Sequence, residues 1–321
     1  MSPEKIDAVY TWCDASDPKF AKQRLDLMTL NGIPYDEELN GTIRFENHDE
    51  LRYSLRSVFE NLPWINHIYI VTNNQRPFWL KEHPKITVVD HTEIIPPELL
   101  PTFSSVVIEN YLTKIPGLSE HFLYFNDDMF INSNLSPSVF FSGDKPIVWM
   151  SDEYCGRFGE NASGDESIDE WERTLLRAWD LFQTKNKLKI PFLTPNHSVD
   201  AYCKSMIDNT LIKYPEIQLA NRSPFRTGTE ISRLIFSYEM IFNLNCQYIL
   251  RWKNNRLNRI LSKIGLRTPT TIVSNSVDHM EKMIRKRHPK TFCLNSVRHE
   301  DTEAAKIFMQ KRFPNPAPWE R

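Results

Sequence analysis

Asp127 and Asp128 stand side by side where an apolar run, Phe122-Leu-Tyr-Phe-Asn126, ends. Two adjacent carboxylates at such a point can hold Mg²⁺ or Mn²⁺ against a diphosphate, because hard divalent cations take oxygen ligands and leave positions open for phosphate oxygens. The same residues also suit a solvated turn, where Asn and Asp are common. Three other clusters repeat the pattern of polar residues after an apolar run: Thr11/Asp14/Asp17, Asn73/Asn74/Gln75 and Asp90/His91. Arg52 and Arg56, one helical turn apart, offer two guanidiniums on one face, suited to a diphosphate or to neighbouring carboxylates. Glu109 closes the apolar run Val106-Val-Ile108, so it needs a partner or a raised pKa. His197 follows Thr194-Pro-Asn and precedes a helical pattern; a helix N-terminus disfavours the imidazolium and makes the ring a candidate general base. Arg226 falls in the loop Ser223-Pro-Phe-Arg-Thr-Gly-Thr229, from which it could meet phosphoryl charge or cap a helix, with Thr229 the expected N-cap of the next helix.

The elements that must position these groups alternate in the first half. Strand patterns at 6–12, 67–72, 85–89 and 122–126 alternate with helical patterns at 49–61 and 104–115, which predicts a mostly parallel sheet with flanking helices. Parallel strands end on one edge, so the four polar clusters should converge there. From Ser151 the texture changes. Residues 152–172 read as an acidic surface loop or flap, and helical patterns follow at 170–188, 199–214, 230–245, 251–264 and 302–312. The expected architecture is therefore an α/β half over 1–150 followed by a mainly helical half over 151–321, with the cleft between them.

Composition narrows the function classes. With 40% hydrophobic and 25% charged residues and a net charge of −2, the chain reads as globular and gives no reason to expect a nucleic acid partner. Its five cysteines are scattered, odd in number and without a CxxC pair, which argues against a zinc site or a disulfide framework and fits a reducing compartment. The first residues lack the apolar core of a signal peptide and no run is long enough to span a membrane, so the expected location is cytoplasmic. None of the nine glycines forms GxGxxG or a P-loop, so any nucleotide must be held by other means. Between Arg251 and Lys290, Lys and Arg far outnumber the acids Asp278 and Glu281, and Trp252, Leu257, Ile260, Leu261 and Ile264 fall roughly along one side of a helix. Such a segment can lie on the inner face of an anionic membrane, track a polyanion, or pack as an ordinary helix with a solvated basic face.

These motifs resemble the Stealth family of sugar-phosphate transferases, which includes bacterial capsular and exopolysaccharide phosphotransferases and is related to the catalytic subunit of N-acetylglucosamine-1-phosphotransferase. Ile6-Asp-Ala-Val-Tyr-Thr-Trp-Cys-Asp-Ala-Ser-Asp-Pro18 is similar to the family's first block. The long second block runs from Glu50-Leu-Arg-Tyr-Ser-Leu-Arg-Ser57 through Ile70-Val-Thr-Asn-Asn-Gln75, Leu100-Pro-Thr-Phe-Ser-Ser105 and Glu109 to Asn126-Asp-Asp128. His197 and Arg226 fall in the third block and Phe292-Cys-Leu-Asn295 in the fourth. The chain departs from the pattern at Cys13, Ala15 and Ser296; at the last the family usually has Asp, and Asp301 lies five residues on.

The resemblance implies a glycosyltransferase-A-like, nucleotide-sugar-binding fold and transfer of a sugar-1-phosphate from a nucleotide-diphosphate sugar to a saccharide acceptor, in capsular or extracellular polysaccharide. It implies His197 as base, Arg226 on the transferring phosphoryl group, Asp127 and Asp128 on Mg²⁺ or Mn²⁺, and Glu109 on the donor sugar or orienting another catalytic group. Thr11, Trp12, Asp14, Asp17, Arg52, Arg56, Gln75 and Ser105 would line the donor site, and the basic segment 251–290 would touch the membrane or the capsule assembly machinery. Two other readings stay open: a metal-dependent glycosyltransferase that moves the sugar alone, and an inactive sugar-nucleotide-binding subunit.

Overall fold

The computed structural model describes residues 5–37, 39–152, 168–251, 271–295, 297 and 301–321. Strands β1 (Ile6–Thr11), β2 (Ile68–Thr72), β3 (Ile86–Asp90) and β4 (His121–Asn126) run parallel in one sheet. The sheet order is β10-β4-β1-β2-β3, with β10 (Asp200–Cys203) antiparallel on the edge. β1, β2 and β4 are near-continuous apolar runs because helices cover both faces. Ile6, Ala8 and Tyr10 pack with Leu51, Leu55 and Val58 of a helix at Glu50–Asn61, while Val9 joins Phe122, Tyr124, Leu175 and Phe182 on the other side. Asp7 is buried inside β1 and satisfied by Asn66 Nδ2 and the Ser119 amide, each at 2.7 Å.

The order of the strands creates the crevice. The chain builds outward from β1 to β2 to β3, then returns to lay β4 on the opposite side of β1. Where strand order reverses in this way, the carboxyl ends of the two strands diverge and leave room for a ligand. Thr11 and Asn126 are register partners at that point.

Helices in the first half are α1 (Pro18–Leu30), α2 (Glu50–Asn61), α3 (His91–Ile94) and α4 (Ser105–Glu109). The helical pattern at 104–115 is thus realised as one short α-helix followed by a 3₁₀ turn at Leu112–Lys114. Past Asp128 the chain enters β5 (Met129–Ile131), then the hairpin β6 (Phe141–Ser142) and β7 (Lys145–Pro146), and β8 (Val148–Ser151). The second half adds α5 (Glu170–Asn186), β9 (Thr194–Pro195), α6 (Lys204–Lys213), α7 (Pro215–Ala220), α8 (Leu234–Tyr238), β11 (Tyr248–Arg251), β12 (Thr271–Ser274), α9 (Val277–Arg287), β13 (Thr291–Leu294) and α10 (Thr302–Arg312). β11, β8 and β9 form a second sheet, and β12, β13 and β5 a third.

The second half is therefore less purely helical than its sequence pattern implies. Residues 199–203 form the loop end and strand β10 where a helix is expected, since a short apolar run such as Ala201-Tyr-Cys203 fits a buried strand as well as a helix. The pattern at 230–245 resolves into α8 and a π-helical turn at Glu239–Asn243. Beyond Arg251 the helix expected over 251–264 lies outside the described residues, as does most of the loop expected over 152–172. No helix among the described residues is long and apolar enough to cross a membrane.

Candidate active site

A cavity of about 580 Å³ opens at the strand reversal, lined by the carboxyl ends of β1 and β4 and by loops of the second half. Asp127 and Asp128 occupy the turn between β4 and β5, and the backbone amide of Leu294 in β13 holds the Asp128 carbonyl at 3.1 Å. Burial, each other's charge and the nearby Glu50 push the Asp127 carboxyl well above its ordinary range. Burial also pushes Asp128 up to about 7, against a hydrogen bond from the Cys293 thiol. The thiol itself is held protonated by burial and by the Asp128 charge, so it donates. Two carboxyls with raised pKa values mark a place that lacks positive charge. Asp128 Oδ1 is buried without a hydrogen-bond partner, and its carboxylate, the His197 ring and the Cys293 sulfur bring ligand atoms within 4.8 Å of one another. The adjacent Asp127 and Asp128 carboxyls, with their unpartnered Asp128 oxygen, fit a hard divalent cation, whereas the Cys293 thiol, held protonated, does not serve as a ligand.

Cationic groups line the same cavity. His197 lies in the loop between β9 and β10, and its Nε2 is buried without a partner. The expectation that His197 sits at a helix N-terminus is overturned, because a strand follows it. Its ring is nonetheless kept neutral: burial first, then the charges of Arg233 and Arg226, lower its pKa to about 4. Arg226 reaches the cavity from its loop and donates to Ser105 Oγ at 2.5 Å, at the start of α4. Thr229 does not cap a helix as expected; α8 starts only at Leu234.

Glu109 finds the partner its position requires. Arg233 Nη1 lies 3.9 Å from it, while Arg233 Nη2 lies 3.4 Å from Asp200 on β10. Tyr124 donates to Glu109 at 3.3 Å and exchanges a 3.1 Å hydrogen bond with Thr11. This chain of contacts ties β1, β4, α4 and β10 together at the cavity.

The sequence-predicted residues divide in two. Thr11, Trp12, Ser105, Glu109, Asp127, Asp128, His197 and Arg226 all line the cavity. Asp14, Asp17, Gln75, Arg52 and Arg56 do not, and each has another task. Asp17 caps α1 through the Lys19 amide at 2.9 Å. Gln75 clamps the β1–α1 turn, accepting from the Asp14 amide at 3.0 Å and donating to the Asp14 carbonyl at 2.8 Å. Arg52 and Arg56 turn away from the cleft and grip Glu320, whose carboxylate is buried between them at 2.6 Å from each. Of their two sequence readings, the carboxylate partner is the one the fold adopts. Ser296 lies outside the described residues.

Sequence reasoning missed Arg233, Asp200 and Glu50. Glu50 stands inside the second block as the first residue of α2, two positions before Arg52, where it reads as an acidic first-turn residue. Arg233 and Asp200 give no local signal, since their importance comes from a strand pairing between distant segments.

Fold and site together define an α/β protein whose half-buried acidic turn shares a cavity with a half-buried cluster of two arginines and a neutral histidine. Residues 44–148 match the profile of Stealth protein conserved region 2. The chain is 32% identical to the exopolysaccharide phosphotransferase SCO6023 of Streptomyces coelicolor over 98% of its own length and 52% of that protein. It is 33% identical to the exopolysaccharide phosphotransferase CpsY of Mycobacterium tuberculosis over 98% of its length and 58% of that protein. Over 44% of its length it is 50% identical to the capsular polysaccharide phosphotransferase LcbA of Neisseria meningitidis, covering 39% of that protein. The chain spans roughly half the length of the two exopolysaccharide phosphotransferases. Among solved structures, the galactosyltransferase LgtC aligns over 97% of this chain and 96% of its own, with 11% identity and a TM-score of 0.43, a likeness too distant to carry an argument. The chain belongs to the Stealth family.

Proposed function

We propose that this chain transfers a sugar-1-phosphate from a nucleotide-diphosphate sugar to a hydroxyl of a saccharide acceptor, releasing the nucleoside monophosphate and forming a phosphodiester. The observation that carries the reading is the gathering, in one cavity, of the Asp127–Asp128 turn and the His197–Arg226–Arg233 cluster. Phosphoryl transfer needs just these parts: a base for the attacking hydroxyl, charge for the equatorial oxygens, and an in-line leaving group. The names of the full-length phosphotransferase relatives point the same way.

The acceptor oxygen attacks phosphorus and its proton passes to the neutral His197 ring. A base with a pKa near 4 is weak, but two of the three causes of that value are the Arg233 and Arg226 charges. Burial is the first cause and stays, while a diphosphate drawn against Arg226 offsets that residue's smaller contribution and so raises the ring's pKa in part. The P–O bond to the nucleoside monophosphate breaks as the new P–O bond forms. Arg226 follows the charge on the moving phosphoryl group, while Arg233, held by Glu109 and Asp200, fixes the floor of the site. Asp127 and Asp128 would hold Mg²⁺ or Mn²⁺, which supplies charge neutralisation for a diphosphate.

The test is a screen of sugar nucleotides with the released nucleotide identified by chromatography. Monophosphate supports the proposal; diphosphate means that the sugar alone moves, and no turnover with either cation means a binding subunit. Peripheral contact with an anionic membrane belongs to the same proposal. In the described part of segment 251–290, Arg285 and Lys286 are exposed in the last turn of α9, and vesicle binding that falls steeply with salt is the expected result.

A further inference from the structure

The cavity holds five aromatic rings of two kinds. Phe20, Phe45 and Phe103 are buried and pack on one another with centroids 5.1 to 6.3 Å apart, and Phe103 stacks on Phe225 beside Arg226. Trp12 is buried under the end of β1. Trp171 differs: it lines the same cavity yet is 41% exposed. Leaving so much indole surface in water is unfavourable, and core packing does not account for it.

The position of Trp171 is fixed. It is the second residue of α5, behind a capping box in which Asp169 accepts from the Glu172 amide at 2.7 Å. The preceding residue, Glu170, lies directly on the Arg226 loop: a Cβ added at Gly228 would stand 1.6 Å from Glu170 Oε2. Gly228, at φ +70° and without a Cβ, leaves room for the Glu170 side chain to lie against the loop. The loop that carries Arg226 and the helix end that carries Trp171 are thus one packed unit, and both belong to the half that supplies His197.

Accepting the phosphotransfer reading above, we infer that Trp171 is the stacking platform of the acceptor subsite. A pyranose ring presents a face of C–H groups that packs on an indole while its hydroxyls stay in water or find polar groups, and a preformed aromatic surface binds it with little ordering entropy. The donor nucleotide belongs at the strand reversal, near Thr11 and Trp12, under the first-half strands. The acceptor hydroxyl must reach His197. Trp171 is exposed in the same cavity as His197 and sits beside the Arg226 loop, so it suits the second requirement and not the first.

The experiment pairs kinetics with footprinting on the intact chain, using hexose and N-acetylhexosamine oligosaccharides of three to six units as acceptors. Trp171→Ala should raise the acceptor KM by about five- to tenfold while the donor KM changes by less than about twofold, and Trp171→Tyr should recover most of the loss. In hydroxyl-radical footprinting, oxidation of Trp171 should fall when oligosaccharide is added, with the exposed Leu30 as an unprotected control. An unchanged acceptor KM in Trp171→Ala, a donor KM that rises instead, or protection by the sugar nucleotide alone would each overturn the inference. The phosphotransfer reading fails separately, on the identity of the nucleotide that the unmodified chain releases.

Discussion

Glu320 offers the most direct test of how this structure reassigns Arg52 and Arg56. Its side chain is 1% exposed and accepts from Arg56 Nε at 2.7 Å, from Arg56 Nη2 and Arg52 Nε at 2.6 Å, and from the Ala317 amide at 2.8 Å. Arg56 is buried as well, its Nη1 donating to the Phe313 carbonyl at 2.8 Å, whereas Arg52 is about a quarter exposed. Glu320→Leu strands the Arg56 charge with no carboxylate, a change that costs about 3–5 kcal/mol in comparable buried pairs. Replacing both members, as in Arg56→Met with Glu320→Leu, removes the stranded charge and should return to within about 1–2 kcal/mol of the original chain, because a buried pair exchanged for apolar groups is often neutral. Urea unfolding followed by circular dichroism measures all corners of the cycle. A Glu320→Leu loss below about 1 kcal/mol, or a double variant as unstable as the sum of the singles, would refute the clamp. An Arg52→Met variant of unchanged stability whose donor KM rises tenfold would return that arginine to the donor site.

Other expectations follow from the same contacts. Burial pushes the Glu320 carboxyl up, but hydrogen bonds from Arg56, the Ala317 amide and Arg52 outweigh it and hold the pKa below the usual 4.5. The clamp's stability should therefore be present above about pH 4.5 and be lost as the pH falls through the lower folded value, seen as an acid limb that Glu320→Leu flattens. His197→Ala and Asp128→Ala should each abolish transfer while leaving the circular dichroism spectrum intact; near-normal turnover in either purified variant would sink its assignment. Mg²⁺ or Mn²⁺ should raise the melting temperature in a concentration-dependent way, and Asp128→Asn should remove that rise. Gly228→Ala forces a left-handed conformation that costs about 1–2 kcal/mol and shifts Glu170, so transfer should fall further than stability alone accounts for.

The parallel core of the first half was readable because its strands are apolar runs closed by polar breaks, and four such runs admit few topologies. β1 to β4 lie where those runs stand, and His91 as well as the Thr11 and Asp127–Asp128 clusters reaches the cavity. The arginines on α2 were misleading because helical spacing reports which face they share and not what that face meets. Only the return of the chain to residue 320 supplies the carboxylate. β10 was hidden by its length: a strand of four residues carries no period, and its identity comes from pairing with β4. His197 was singled out for a reason the fold does not support, the helix end, and is kept neutral by burial and two arginines that sequence spacing could not bring together.

The antiparallel β10 also governs how the chain can be handled before it is whole. Until residues 200–203 arrive, β4 ends the sheet with a bare hydrogen-bonding edge formed by His121 to Tyr124, the residues that later pair with Cys203 to Asp200. Such an edge is a template for pairing with another copy, and Phe122 and Leu123 make it an apolar one. A fragment stopped near residue 150 would contain every strand of the parallel core and still be prone to self-association. During synthesis the same exposure lasts until the later segment emerges, and its arrival seals the edge and delivers the His197 loop in a single step.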